Sequence, residues 1–327
     1  MQRKSVLVVG LLVAATVPLL ADSFWLNLFI LALIYIPMAL GLTVLFGYTN
    51  LVSLGQGGFF AIGAYTSALL ALELGLNVWV AMAVSVVAAG AVGYVIARPI
   101  LRFKGLSLAM ATLAFGQMVF ILVQQLDLTG GPVGLSGIPA PELFSIDFTQ
   151  SRNFYWLALA IAVIVYVLTR NLARSRFGRN FRGLGVSEPA ARTLGVNTES
   201  AKALAFVYAA GLAGLAGALY AHYFSFISSD TFGLDLSILV LIIVVVGGLR
   251  SLPGAVIGTV VIFILREYLK SYQEYSELVY GLLLILVFMA APDGIMGIVH
   301  KLRNRFRSRN ADPDGQRAQT PSGMVQP

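Results

Sequence analysis

The sequence predicts an all-α, polytopic membrane protein of about ten transmembrane helices with both termini cytoplasmic. Three observations carry that prediction. Of 327 residues, 58% are hydrophobic and only 11% charged, and the mean hydropathy of +0.85 is too high for a water-soluble globule. The apolar residues fall into runs of about 20, the length that crosses the hydrocarbon core as a helix. A helix is required there because lipid offers no partner to a free backbone N–H or C=O. Finally, 19 of the 22 Lys and Arg residues lie in every second connection between those runs.

The runs lie at 5–21, 25–46, 52–72, 77–97, 105–126, 154–170, 203–222, 234–249, 254–270 and 277–291. Basic residues stay on the cytoplasmic side. Placing Arg3 and Lys4 inside sends Arg98, Arg102 and Lys104 there too, followed by Arg170, Arg174, Arg176, Arg179, Arg182, Arg192 and Lys202, then Arg250 and the C-terminal basic residues. Only Arg152, Arg266 and Lys270 remain outside. The formal charge of +7 is thus a signature of orientation. Nothing resembles a basic, aromatic-interleaved nucleic-acid face. Residues 1–299 form the membrane domain on this reading, and 300–327, poor in apolar residues, a disordered basic tail.

The first run mimics a signal peptide, with Arg3–Lys4 before it and Leu19-Leu20-Ala21 at its end. Cleavage would leave nine helices, but polytopic proteins usually keep such a helix as an anchor, and we expect it to be retained. No run carries Asp, Glu, Lys or Arg near its middle, where ion-coupled transporters place them. No G-x-x-x-x-G-K-[S/T] phosphate loop occurs. Cysteines are absent, and the two histidines, His222 and His300, fall on opposite membrane faces, which excludes thiolate chemistry and a shared metal site. The chain carries no motor of its own.

At the entrance to the third run, Gly47-Tyr-Thr-Asn50-Leu-Val-Ser53-Leu-Gly55-Gln56-Gly57-Gly58-Phe-Phe-Ala-Ile-Gly63-Ala-Tyr65-Thr66 holds five glycines in 20 residues. Glycine admits close backbone approach and non-helical angles. Two readings stand: a broken or re-entrant helix lining a polar path, or a cytoplasmic turn leading into a tightly packed helix. In the fifth run, Thr112, Gly116 and Gln117 fall within about a turn and a half. They either share a face toward a pore or bond a neighbouring helix. Asn50, Ser53, Gly55, Gln56, Gly57, Tyr65, Thr112, Gly116 and Gln117 are therefore the candidate path residues.

The run at 203–222 bears small-residue stripes, Ala209, Ala213, Gly217 and Ala221 beside Ala210, Gly214 and Ala218, which allow close helix packing. The connection 171–202 is the longest interior one. Within it, Ser187 is an N-cap, Pro189 sits in the first turn and Gly195 ends a helix of about seven residues. So short a helix needs a partner surface. Ser187, Glu188, Pro189, Ala190, Ala191, Arg192, Leu194 and Gly195 are the candidate docking residues. The competing reading, a helix lying flat on the bilayer, lacks bulky apolar anchors.

Several of these segments resemble a known family when read in order. They are the glycine segment, Thr112-Leu-Ala-Phe-Gly-Gln117, Leu128-Thr-Gly-Gly-Pro-Val-Gly134, Ala191-Arg-Thr-Leu-Gly-Val-Asn197, Ala213-Gly-Leu-Ala-Gly-Ala-Leu-Tyr-Ala221 and Gly247-Gly-Leu-Arg-Ser-Leu-Pro-Gly254. Together they resemble permease subunits of bacterial branched-chain amino acid ABC importers, and more narrowly the M-type subunit. The resemblance implies a transport subunit rather than an enzyme, in the bacterial cytoplasmic membrane. It also implies an H-type permease partner, two ATP-binding subunits inside and a substrate-binding protein outside. No cofactor is implied on this chain, since ATP is bound by the partner subunits. Residues 187–195 would correspond to the element that docks on an ATPase. Three positions depart from the family pattern: Gln56 where His is common, Ser229 for a usual Pro, and Arg250 for a frequent Gly. Urea and short-amide importers share most of these motifs. A stand-alone facilitator of neutral solutes is the rival from another class, and the organised 171–202 connection fits it poorly.

Overall fold

The computed structural model describes residues 22–143 and 146–269, with Pro18 and Gly297 as isolated positions. α1 (Ser23–Leu42) passes directly into a π-helical turn, Thr43–Tyr48, giving one 26-residue span. There follow α2 (Gln56–Leu72), α3 (Val78–Ile100), α4 (Leu106–Gln125), α5 (Ser151–Arg174), α6 (Arg176–Val186), α7 (Glu188–Thr193), α8 (Thr198–Phe224), α9 (Leu234–Gly247) and α10 (Leu252–Leu269). Among the described residues, seven spans are long and apolar enough to cross a membrane, and α2 is a shorter apolar helix. Eight of the ten expected runs are thereby helical. The runs at 5–21 and 277–291 and the tail at 300–327 lie outside the described residues.

Three details differ from expectation, one of them helix α6 within the 171–202 connection. Helix α2 begins at Gln56 rather than at 52, because residues 51–55 adopt no helix. The fold also contains short strands. β1 (Leu135–Ser136) pairs antiparallel with β4 (Phe226–Ile227), and β2 (Glu142–Leu143) with β3 (Ile146–Asp147).

Two clusters of contacts mark the ends of the bundle. At one end, Gly185 packs on the Tyr48 carbonyl and Gly47 on that of Leu249. At the other, Trp79 Nε1 donates to the Glu142 carbonyl at 2.9 Å, and the Tyr223 hydroxyl to Asn27 Oδ1 at 2.7 Å. Helix direction carries Arg98, Arg174, Arg182, Arg192, Lys202 and Arg250 to the first end and Arg152 and Arg266 to the second. The charge asymmetry read from the sequence is thus a geometric asymmetry of the fold.

Helix α8 is the centre of the bundle, packing most extensively against α2, α3 and α1. Its small residues explain this. A side chain on Gly63 of α2 would strike Gly214, one on Gly217 would strike the Phe60 carbonyl, and one on Gly93 of α3 would approach Ala210 Cβ to 2.7 Å. Gly41 of α1 meets Ala209 in the same manner. The stripes therefore serve three neighbours around the helix. Backbones this close exchange dispersion contacts that larger side chains would prevent.

Candidate functional site

The glycine segment forms a crossing deep within the bundle. After Tyr48 the chain turns at Asn50, which is exposed and has φ +57°. It then runs unpaired in helix or sheet until Gln56. The Leu54 N–H donates to Thr112 Oγ1 at 2.9 Å, and that hydroxyl donates to the Ala109 carbonyl at 2.9 Å. Thr112 lies six residues past the start of α4, so this contact is about 9 Å along that helix. Ser53 Oγ, also buried, accepts from the Gly55 N–H at 3.4 Å.

From the opposite side, a 3-10 turn at Ser229–Phe232 leads into α9. The Gly57 N–H donates to Ser237 Oγ at 2.9 Å. Helix α9 has 14 residues and α2 has 17, lengths of about 21 and 25 Å against a hydrocarbon core of about 30 Å. The two helices run in opposite directions and meet by their first turns. Both N-termini bring partial positive charge inward. Irregular backbone at such depth is tolerated where protein or a polar cavity surrounds it.

Glycine allows the meeting. A Cβ on Gly55 would lie 2.5 Å from the Thr112 carbonyl, one on Gly57 2.9 Å from the Phe232 carbonyl, and one on Gly58 3.1 Å from Gly116 Cα. A small pocket remains among Leu54, Gly58, Gly116, Gln117, Gly233 and Ser237. Its volume of about 10 Å³ matches a single water-sized molecule. Gln56 is 1% exposed, and neither amide atom has a hydrogen-bond partner. The hydroxyls of Tyr65 and Ser229 are likewise buried and unpartnered. Unpaired polar groups in such surroundings cost free energy and are uncommon in folded proteins.

Among the predicted path residues, Ser53, Gly55, Gln56, Gly57, Thr112 and Gly116 come together at this crossing. Gln117 is exposed at the pocket rim. Tyr65 lies further along α2 with its ring 5.5 Å from that of Phe232. Asn50 stands apart at the membrane edge. Ser237, Gly58 and Phe232 belong to the same cluster, and sequence reading missed them. A lone Ser in an apolar run was the available signal.

The second site lies at the basic end. Helix α6 was not anticipated. It is amphipathic, burying Phe181 and Leu184. Arg182 donates to the Ala173 carbonyl at 2.6 Å, satisfying an end of α5, and stacks 5.2 Å from the centre of the Tyr48 ring. Helix α7 follows with the anticipated cap: Ser187 Oγ accepts from the Ala190 N–H, Pro189 occupies the first turn, and Gly195 has φ +80°. Ala191 is buried, whereas Leu194 is 83% exposed and Val186 78%. Pro189, Ala190 and Arg192 share the exposed side.

Side-chain bonds hold α7 on the first turn of α8. Glu188 pairs with Arg192 at 3.0 Å and with Lys202 at 2.7 Å. Arg192 Nε donates to Thr198 Oγ1 at 2.9 Å, and Asn197 caps α8 through the Ser200 N–H. The hydrogen bond and charge of Lys202, with Lys104 and Arg192 adding to it, hold the Glu188 carboxyl below its ordinary pKa.

Residues 24–288 match the family model described as branched-chain amino acid transport system, permease component. The chain belongs to the branched-chain amino acid transport permease family. It is 33% identical to the high-affinity branched-chain amino acid transport system permease protein LivM of Escherichia coli, over 97% of this chain and 80% of that protein. It is 29% identical to LivH of Salmonella typhimurium, over 80% of this chain and 91% of that one. To BraD of Pseudomonas aeruginosa it is 27% identical, over 80% and 91%. No solved structure matches. The M-type resemblance is consistent with these figures, the LivM match being both longer and higher in identity.

Proposed function

We propose that this chain is the M-type membrane-spanning subunit of an ATP-binding-cassette importer for branched-chain or related amino acids. It resides in the bacterial cytoplasmic membrane and pairs with an H-type permease. Two ATP-binding subunits dock at the basic end, and a substrate-binding protein delivers cargo to the other face. The family membership over residues 24–288 carries this reading. An exposed, capped α7 at the basic end gives the ATPases a surface to grip.

Work enters through the ATPases and reaches the crossing of α2 and α9, where the path opens alternately to either side. Gln56, Ser53, Gly57, Thr112, Gly116, Gln117 and Tyr65 surround or adjoin that path, and Asn50 and Gly55 shape the turn into it. A path without full charges suits a zwitterion handed over by a binding protein, because the permease need not bind it tightly. The exterior loop at 127–153 and the turn at Asp230–Asp235 receive the binding protein.

Reconstitution tests the proposal. Proteoliposomes holding this chain, its permease partner and both ATPases, supplied with the binding protein, should accumulate leucine only when ATP is inside. Uptake by this chain alone would contradict it, and a preference for urea over leucine would redirect the cargo. Replacing exposed Leu194 by Asp should uncouple hydrolysis from uptake. Asp at Ala191 would disturb packing instead, since that side chain faces inward.

A further inference from the structure

Resting on that reading, we propose that α8 is the lever connecting the two docking faces, with Lys202 and His222 as the positioning residues that fasten its ends. Its 27 residues span about 40 Å at 1.5 Å per residue, more than the hydrocarbon core. Both ends are tied by buried side chains to the elements that face the two partners.

At the inner end, Lys202 has its side chain 8% exposed and its ammonium 2.7 Å from Glu188. Arg192 adds its bond to Thr198, and the Val196 N–H donates to the Ala191 carbonyl at 3.1 Å. Helix α7 therefore cannot tilt without carrying the first turn of α8 with it. At the outer end, His222 is 1% exposed and engages both ring nitrogens. Nδ1–H donates to the Pro139 carbonyl at 2.7 Å, which leaves Nε2 to accept from the Ser67 hydroxyl at 2.7 Å. One imidazole thus clasps the exterior loop and α2 to α8. The β1–β4 pair, beginning two residues beyond α8, adds a second tie to the same loop.

Between the ends, α8 lies against α2 along Gly63–Gly214 and Phe60–Gly217 with no side chain intervening. Movement of α8 is consequently passed to α2, whose first turn forms the crossing. A packed rod fixed at both ends by directional bonds transmits displacement, whereas one held by apolar contacts alone can slip. Binding-protein arrival outside and ATPase closure inside then act on one rigid element.

The test uses the full complex in proteoliposomes, measuring ATP hydrolysis with and without binding protein, and uptake per ATP. Lys202→Met keeps the aliphatic stem and removes the charge. His222→Ala removes the outer clasp. Each should lower stimulation by the binding protein by about five-fold or more, the lower end of coupling between sites, while hydrolysis without binding protein persists. Lys202→Glu should behave like Lys202→Met, and combining it with Glu188→Lys should restore stimulation. Rescue by a reversed pair is a result that a merely structural role for one lysine does not produce. Wild-type stimulation in both Lys202→Met and His222→Ala overturns the lever, and so does an assembled reversed pair that stays uncoupled. A wild-type complex that shows no response to the binding protein overturns the importer reading itself.

Discussion

The crossing of α2 and α9 and the arm of α6 and α7 at the basic end are built on different principles. The crossing is held by backbone against backbone, with glycine wherever two chains touch and few side-chain bonds, such as those of Thr112 and Ser237. Beyond the close approaches of Gly178 and Gly185 that seat α6, the arm is held by side chains: an N-cap, a three-membered ion pair and a stacked arginine. Its outer surface is left open. Backbone packing leaves no room for added volume, so it fixes geometry strictly. Polar ties tolerate added volume but depend on each named group. Substitutions in the two regions should therefore fail differently, the crossing in stability and the arm in coupling.

The largest stability loss is expected for Gly55→Val, which drives a branched side chain into the Thr112 carbonyl 2.5 Å from its Cβ position. Overpacking costs about 1–3 kcal/mol and this contact with backbone belongs at the upper end. Thermal unfolding of the detergent-solubilised complex should shift downward by several degrees. An unshifted Tm would show that the crossing is looser than described. Next comes Thr112→Val, which keeps the shape but strands the Leu54 N–H, at about 1–3 kcal/mol. Thr112→Ser should recover most of that loss, and equal damage from both would assign the effect to packing.

In the arm the sizes fall. Ser187→Ala removes one cap and should cost α7 about 1 kcal/mol, with global Tm nearly unchanged and uptake per ATP reduced. A global shift as large as that of Gly55→Val would erase the contrast between the regions. The smallest effect is that of pH. Because Glu188 is depressed in the folded arm, its contribution is complete above the ordinary glutamate value of about 4.3. It is lost only as pH falls through the lower folded value. The exposure of Arg192, one of the two partners of Glu188, keeps this small. A spin label at Leu194→Cys should keep its mobility from neutral pH down to the ordinary glutamate range and loosen below it. Loosening near neutrality would assign the attachment to another group.

Much of this was legible in the sequence, and the reasons are physical. The apolar spans follow from transfer free energies, which single residues carry with them. The α7 cap is local, so Ser187, Pro189 and Gly195 spell it out. Helix α6 escaped notice because Gly178, Gly183 and Gly185 with three arginines read as a loop. Two of those glycines exist for close approach, Gly178 to Ala173 and Gly185 to Tyr48. The late start of α2 and the role of Ser237 arise from contacts 58 and 180 residues apart in the chain. No local pattern encodes such pairings. Thr112, one of the polar residues the sequence offered for a pore-facing surface, spends its hydroxyl joining α4 to the chain before α2.

The central claim, that ATP-driven motion at the arm reshapes the crossing, is tested most directly by labelling at Gln117. The chain has no native cysteine, so Gln117→Cys gives this subunit a single reactive thiol at the pocket rim, whose labelling is read on its own band after modification of the assembled complex. Its rate of modification by a water-soluble maleimide should change when the ATPases are locked with a non-hydrolysable ATP analogue. That change should vanish when Leu194→Asp is added. An identical rate in both nucleotide states, or a change that survives Leu194→Asp, would contradict the account.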